Sequence, residues 1–326
     1  MRIVDFHLHL PWWLDNAREA SSHLLGEMDR SGVDVGVLIS IEASIGRFKK
    51  LVDESSLARA LGKSLDLLAQ GPALASSLWS LDVQTLINRH LEVLERVSGD
   101  LGAVLEASRL SEGRLLPVAA YNPDVDPRDF AKYIESLGSV VGVKVYPTLY
   151  FDRPDSRRMV RLYKELEARR GESLVIVHTG CDPGIWELPE YCRFARPSLV
   201  ARAARALKGT SFVLAHMGAY SALNPGIYFG EALEACSRDN IYLDTSAVDP
   251  LLVEKAVSEC GDDRILYGSD YPYVSGHSMG DSLSALKSLS LEARTLSKIL
   301  GRNALSLLSR VARHRSLSTG ASDRRG

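Results

Sequence analysis

Eight near-continuous runs of Val, Ile and Leu punctuate the chain, near residues 2–9, 33–40, 115–121, 140–147, 173–178, 211–216, 240–245 and 264–269. Apolar runs without polar alternation are what parallel strands buried on both faces require. Between them, stretches such as DPRDFAKYIESLG, DSRRMVRLYKELEARRG, PSLVARAARALKG and DPLLVEKAVSECG space their apolar residues for a helix. Several open on Asp or Ser near Pro and close on Gly, the start and stop signals of helices. Eight strand–helix repeats predict an α/β fold, a closed (β/α)8 barrel more than an open doubly wound sheet. An open sheet is expected to carry a glycine-rich phosphate loop after an early strand, and neither GxGxxG nor GxxxxGK(S/T) occurs.

Two regions exceed the repeat. The interval of about 42–112 is too long for one crossover helix and holds at least two helical patterns, SSLARALGKSLDLLAQG and DVQTLINRHLEVLERVSG. It reads as an insertion after the second strand. On the rim it would either cap a substrate, with Trp79 and Arg47 as contacts, or bury Leu-rich faces against the barrel or a second subunit. After the eighth strand, SLSALKSLSLEARTLSKILGRNALSLLSRVA supplies extra helices that close the barrel. One domain over 1–311 is expected, followed by a polar basic tail over 312–326.

Composition narrows the partners. Of 326 residues 45% are hydrophobic and 25% charged, an ordinary globular balance with no apolar segment long enough for a membrane span. A formal net charge of −2 gives no electrostatic case for nucleic acid or an anionic membrane, so the expected partner is a small molecule. The first strand starts at Arg2, which leaves no room for a secretory signal; a cytoplasmic protein is expected. Cys181, Cys192, Cys236 and Cys260 are far apart and form no CxxC pair. They are expected to be buried fillers, neither a zinc knuckle nor a disulfide framework.

The candidate chemistry lies at the strand ends. In a strand, residues two apart face the same side, so His7 and His9 should project together into the barrel mouth while Leu8 points to the helices. His178 and His216 close two further runs, Lys144 lies in GVKVYP, and Asp270 ends the last run. Parallel strands bring their ends together, which turns these dispersed residues into one candidate metal site. His23, His90, His277 and His314 lack that context. Asp270 can both ligate a metal and take a proton from a metal-bound water, whose pKa a zinc ion lowers from 15.7 toward ~7. Lys144 can bind a substrate oxygen as a cation, or carry a carboxyl group from CO2 and bridge two metals.

In their order, DFHLHL, GVKVYP, VIVHTG, VLAHMG, IYLDTS and LYGSDYP, with GRNALSLL behind them, resemble the amidohydrolase superfamily, most closely its amidohydrolase 2 branch of TIM-barrel enzymes. The resemblance runs from Arg2 to about Leu308. It implies that His7, His9, His178 and Asp270 hold one divalent metal, usually zinc, with His216 beside it as a catalytic partner. KVYP also resembles dihydroorotase-like members, in which a carboxylated lysine bridges two metals; that variant would place His178 and His216 on the second ion.

Hydrolysis of a small ester, lactone or amide is the first expectation, with Asp270, His216 and Lys144 as catalytic residues. The branch also contains non-oxidative decarboxylases of aromatic or muconate-type acids, for which Arg47, Tyr150 and Arg153 would clamp the substrate. TatD-like nucleases differ by a glutamate where this chain has Lys144, and a non-catalytic metal-binding barrel is the remaining alternative. Trp12, Trp13, Tyr150, Trp186, Tyr220 and Tyr273 flank the strand ends and are expected to line a pocket. The long insertion offers a surface for a homodimer.

Overall fold

The computed structural model describes residues 1–51, 88, 91–92, 94–96, 98–182, 187–222, 224–274 and 276–322. All eight apolar runs are strands: β1 (Val4–Leu8), β2 (Val35–Ile39), β3 (Leu115–Ala120), β4 (Gly142–Val145), β5 (Ser173–Gly180), β6 (Thr210–Tyr220), β7 (Ile241–Asp244) and β8 (Ile265–Leu266). They pair in chain order and in parallel, as crossover helices demand. The seam closes where the chain leaving β8 bonds to β1: the amide of Phe6 donates to Tyr267 O, that of Asp270 to His7 O, and that of His9 to Tyr271 O. A (β/α)8 barrel results.

Local chemistry accounts for the crossovers. The helix Pro127–Leu137 starts on Asp126, whose side chain accepts the Arg128 amide with Pro at the first turn, and stops at Gly138. The helix Ala17–Ser31 likewise starts on Asn16 and ends on Gly32 at φ 74°. Alternate strand positions such as Val37, Ile39, Leu174, Ile176, Val213 and Leu266 pack in one cluster with Ala304, Leu307 and Val311 of the terminal helix Asn303–Ser322. The opposite positions Leu38, Val175 and Leu214 join Leu24 and Met28 of the helix layer. Leu8 is in that outer cluster, as the HxH spacing requires, and a register shift between Asp5 and Leu8 turns the end of β1 toward the mouth. Arg310 donates to Tyr242 Oη at 2.7 Å and ties the terminal helix to the barrel.

Only the ends of the insertion are described: a helix at Ile45–Leu51 and the crossover helix Leu101–Leu110. Trp79 and His90 lie outside the described residues, as does most of the surface expected to cap a substrate or form a dimer. The terminal helix continues to Ser322, so the stretch expected to be a polar basic tail from 312 is helical through that point. Among the described residues no helix is long and apolar enough to cross a membrane.

The cysteine expectation is corrected. Cys181 pairs with Cys192 and Cys236 with Cys260, leaving no free thiol. Pairs separated by 11 and 24 residues have no sequence signature; the loop after β5 and the ends of two helices bring them together. Closing loops of this size stabilises a fold by about 3 kcal/mol each. Thiol titration of the unreduced, denatured chain is expected to find none of the four cysteines reactive. Reactivity of all four would refute both bridges.

Candidate metal centre

The sequence-predicted residues converge on a cavity of about 290 Å³ at the C-terminal mouth of the barrel, lined among others by His7, His9, Lys144, His178, His216 and Asp270. Trp12, Tyr146, Tyr220 and Tyr273 line its walls. All six candidate side chains are buried, Lys144 completely. Asp270 and His216 both adopt left-handed backbone, at φ 61° and 63°, and Met217 and Gly218 continue it at the end of β6. Non-glycine residues rarely accept such angles, and their concentration around a cavity is characteristic of functional sites.

His7, His9 and Asp270 form a compact group in which one ligand atom from each lies within 4.8 Å of the others. Asp270 Oδ1 is 3.4 Å from His7 Nε2 and 3.5 Å from His9 Nε2. Atoms bound about 2.0–2.2 Å from a tetrahedral ion lie about 3.3–3.6 Å apart, so the three fit a shared metal. Their outer nitrogens support that reading. His9 Nδ1 donates to Ile39 O at 2.9 Å, and His7 Nδ1 donates to Asp244 Oδ2 at 2.8 Å. Each bond fixes the tautomer that leaves Nε2 with a lone pair toward the cavity.

His178 and His216 lie further round the mouth. Their rings are 4.9 Å apart, and His216 is 4.9 Å from His7. His178 is not part of the compact three-residue group; its Nε2 faces Glu187 Oε1 at 3.1 Å. His216 Nδ1 donates to Ser246 O at 3.0 Å, again leaving Nε2 free. Burial drives the pKa of both His7 and His216 well down, which keeps them neutral and able to ligate. Burial raises the pKa of Asp270, and contacts with His9, His216 and His7, to the extent that those imidazoles carry a proton, pull it the other way, with a net shift below the usual carboxylate range. Lys144 Nζ is 3.3 Å from His7 Nε2 and 5.0 Å from the centre of the Tyr146 ring. Burial brings its pKa down to about 8, against the pull of Asp244 and Asp270.

Three residues went unassigned in the sequence. Asp244, at the end of β7, accepts from His7 Nδ1, from the His216 and Ser246 amides and from the Ser246 hydroxyl. Its signal was present, since IYLD ends an apolar run on an acid just as ILYGSD does. Asp5, with its pKa raised by burial to about 7, accepts the amides of His7 and Ser269 and so joins β1 to the end of β8. Glu187 lies in a loop with no strand-end cue. Other expectations find different surroundings: Arg47 is engaged by Tyr150 O and Asp152, and Arg153 by Asp155. Tyr150 is wholly buried, Trp13 packs on His23 away from the cavity, and Trp186 lies outside the described residues.

A sequence profile described as Amidohydrolase matches residues 90–310, more than half of the chain. No curated protein matches. Among solved structures, an uncharacterised TIM-barrel protein from Bordetella bronchiseptica is 17% identical with a TM-score of 0.65, the match covering 95% of this chain and 99% of that one. A probable 2-pyrone-4,6-dicarboxylic acid hydrolase from Acinetobacter baumannii, with citric acid bound, is 13% identical at a TM-score of 0.59 over 95% and 100% of the two chains. A 5-carboxyvanillate decarboxylase from Novosphingobium aromaticivorans, with bound manganese, is 11% identical at 0.58 over 94% and 97%. At these identities the likeness establishes the barrel fold.

Proposed function

The chain belongs to the amidohydrolase family, and on that premise we propose that it is a metal-dependent hydrolase of a small ester, lactone or amide. The observation that carries this reading is the compact His7–His9–Asp270 group with the buried amine of Lys144 beside it. A divalent ion on these ligands supplies Lewis-acid polarisation of a carbonyl and makes a water acidic enough to attack at neutral pH. Zinc suits two imidazoles and a carboxylate, and the bound manganese of the decarboxylase makes that ion the other one to test.

The chain's own groups do the rest. Asp270 Oδ atoms accept the proton of the attacking water and pass it to the departing oxygen or nitrogen, a role that a carboxyl held ionised can fill. Below pH 8 the Lys144 ammonium donates to the carbonyl oxygen, where charge accumulates as water adds. His216, oriented through Nδ1, presents Nε2 to the same oxygen or to the water. Asp244 holds His7 and the His216 backbone in place, and Tyr146, Tyr220, Tyr273 and Trp12 form the cavity walls. We take the site to hold one ion on His7, His9 and Asp270, with His178 completing the set. Its alternative, carboxylation of Lys144 to bridge two ions, is favoured by a pKa that leaves part of the amine neutral at pH 7.

Decarboxylation is the weaker reading because the arginines that would grip a substrate carboxylate are engaged by Asp152 and Asp155. The deciding experiment offers the zinc- or manganese-loaded chain a panel of lactones, esters and amides, and separately hydroxybenzoates. Acid release from the first panel, abolished by chelator and restored by metal, supports hydrolysis. CO2 release from hydroxybenzoates without any acid release assigns decarboxylation instead.

A further inference from the structure

Two cavities share a wall at the barrel mouth. Tyr220 and Tyr273 line the metal cavity and also a second cavity of about 500 Å³. Each ring touches a site imidazole: Tyr220 lies 4.7 Å from the centre of His216, and Tyr273 lies 5.1 Å from that of His9. The backbone joins the two spaces as well, since Asp270 lines the first and Ser269 the second. At about 290 Å³ the metal cavity is at the low end of the ~300–1,000 Å³ usual for ligand pockets, enough for a reacting group and little more.

The second cavity is built largely from the chain that follows β7 and β8, including the helix Met279–Lys287. Ala247, Val248, Val253, Val274, Ala285 and Leu286 give it an apolar surface. Its polar groups are engaged within the chain. Thr245 Oγ1 donates to Gly268 O and accepts the Gly268 amide, and Ser269 Oγ accepts the Tyr271 amide. Asp281 accepts from the amide and hydroxyl of Ser278, and Asp182 accepts the Ala222 amide. Among the described residues no Lys or Arg lines this cavity, while Asp182 and Asp281 disfavour an anion there. His277, the remaining ionisable group besides the tyrosines, is close enough to Asp281 for their charges to interact. A wall whose polar atoms are already bonded and whose remaining surface is hydrocarbon recognises hydrocarbon.

We propose that the second cavity is the subsite for the non-reacting part of the substrate, an uncharged alkyl or aryl tail on the ester, lactone or amide whose carbonyl is held at the metal centre. The tail passes beside Tyr220 and Tyr273, and its burial supplies affinity remote from the reacting bond.

The assignment rests on the metal-dependent reading of the first cavity, and its test reads binding without turnover. Straight-chain hydroxamates from acetyl to octanoyl, whose head group chelates a divalent ion, are titrated by calorimetry into the zinc-loaded full chain and into Ala285→Trp and Val248→Trp, which fill the second cavity from different elements. In the wild type, affinity is expected to rise roughly 3-fold with each added methylene. Either variant should cost the octanoyl compound at least tenfold while acetohydroxamate binds as in the wild type. A carboxylate at the far end of the octanoyl chain should likewise cost at least tenfold. Thermal melting checks that each variant is folded; if one is not, the other reads the same loss. A flat series in the wild type, or a rise that a folded variant leaves intact, overturns the subsite and leaves the metal centre standing. Equal binding of the carboxylate-ended chain overturns the uncharged tail. Absence of binding by every hydroxamate overturns the metal-dependent reading itself, and the subsite with it.

Discussion

Asp270→Asn is expected to lower kcat by roughly 10²–10⁴-fold, the range for removal of a positioned acid–base group, while the chain stays folded and retains metal. Asparagine keeps one oxygen for the ion but cannot accept and return a proton at neutral pH. Its backbone cost is small, because Asp270 has φ 61° and Asn is among the residues that best tolerate left-handed angles. Metal analysis beside steady-state kinetics separates the two duties of the carboxylate. Turnover within tenfold of wild type, with metal bound, would remove Asp270 from proton transfer. Loss of both metal and turnover would assign it to ligation alone.

Lys144→Met is expected to have opposite effects on activity and stability. Methionine fills a similar volume without the charge, so turnover should fall at least 100-fold as the donor to the carbonyl oxygen is lost. Stability of the metal-free chain should rise. The amine titrates at about 8 in the folded chain and near 10.5 when unfolded, so burial of its charge costs about 3 kcal/mol below pH 8. Between those values the unfolded state binds more protons than the folded one. Wild-type stability therefore climbs as pH rises from about 8 toward 10.5, and Lys144→Met removes that climb. Chemical denaturation across this window checks it. A variant less stable than wild type at pH 7 would show that the amine is already neutralised in the native chain, as carboxylation would make it.

The barrel was legible because its signal is repetitive and local. An apolar run such as LVIVH in β5 has to be buried on both faces, and eight of them with capped helices between admit few other arrangements. The strand ends were legible for the same reason: once the runs are parallel, His7, His9, Lys144, His216 and Asp270 must meet. Asp244 could have been read by the rule that found Asp270, as an acid closing an apolar run. Glu187 could not, since it is placed by a loop and by the side chain of Thr148, 39 residues earlier.

By itself the sequence determined the closed parallel barrel, the end of it that bears the chemistry, and the identity of the residues gathered there, because strand periodicity and burial act over a few neighbouring residues. Only the tertiary structure decided how those residues are apportioned. It drew His7, His9 and Asp270 into one group and turned His178 toward Glu187. It set the Lys144 amine at about 8 by burying it, and joined four cysteines into two bridges. Each of these depends on distances between segments far apart in the chain, and a hydrogen bond, a pKa or a disulfide responds to such distances and not to sequence spacing.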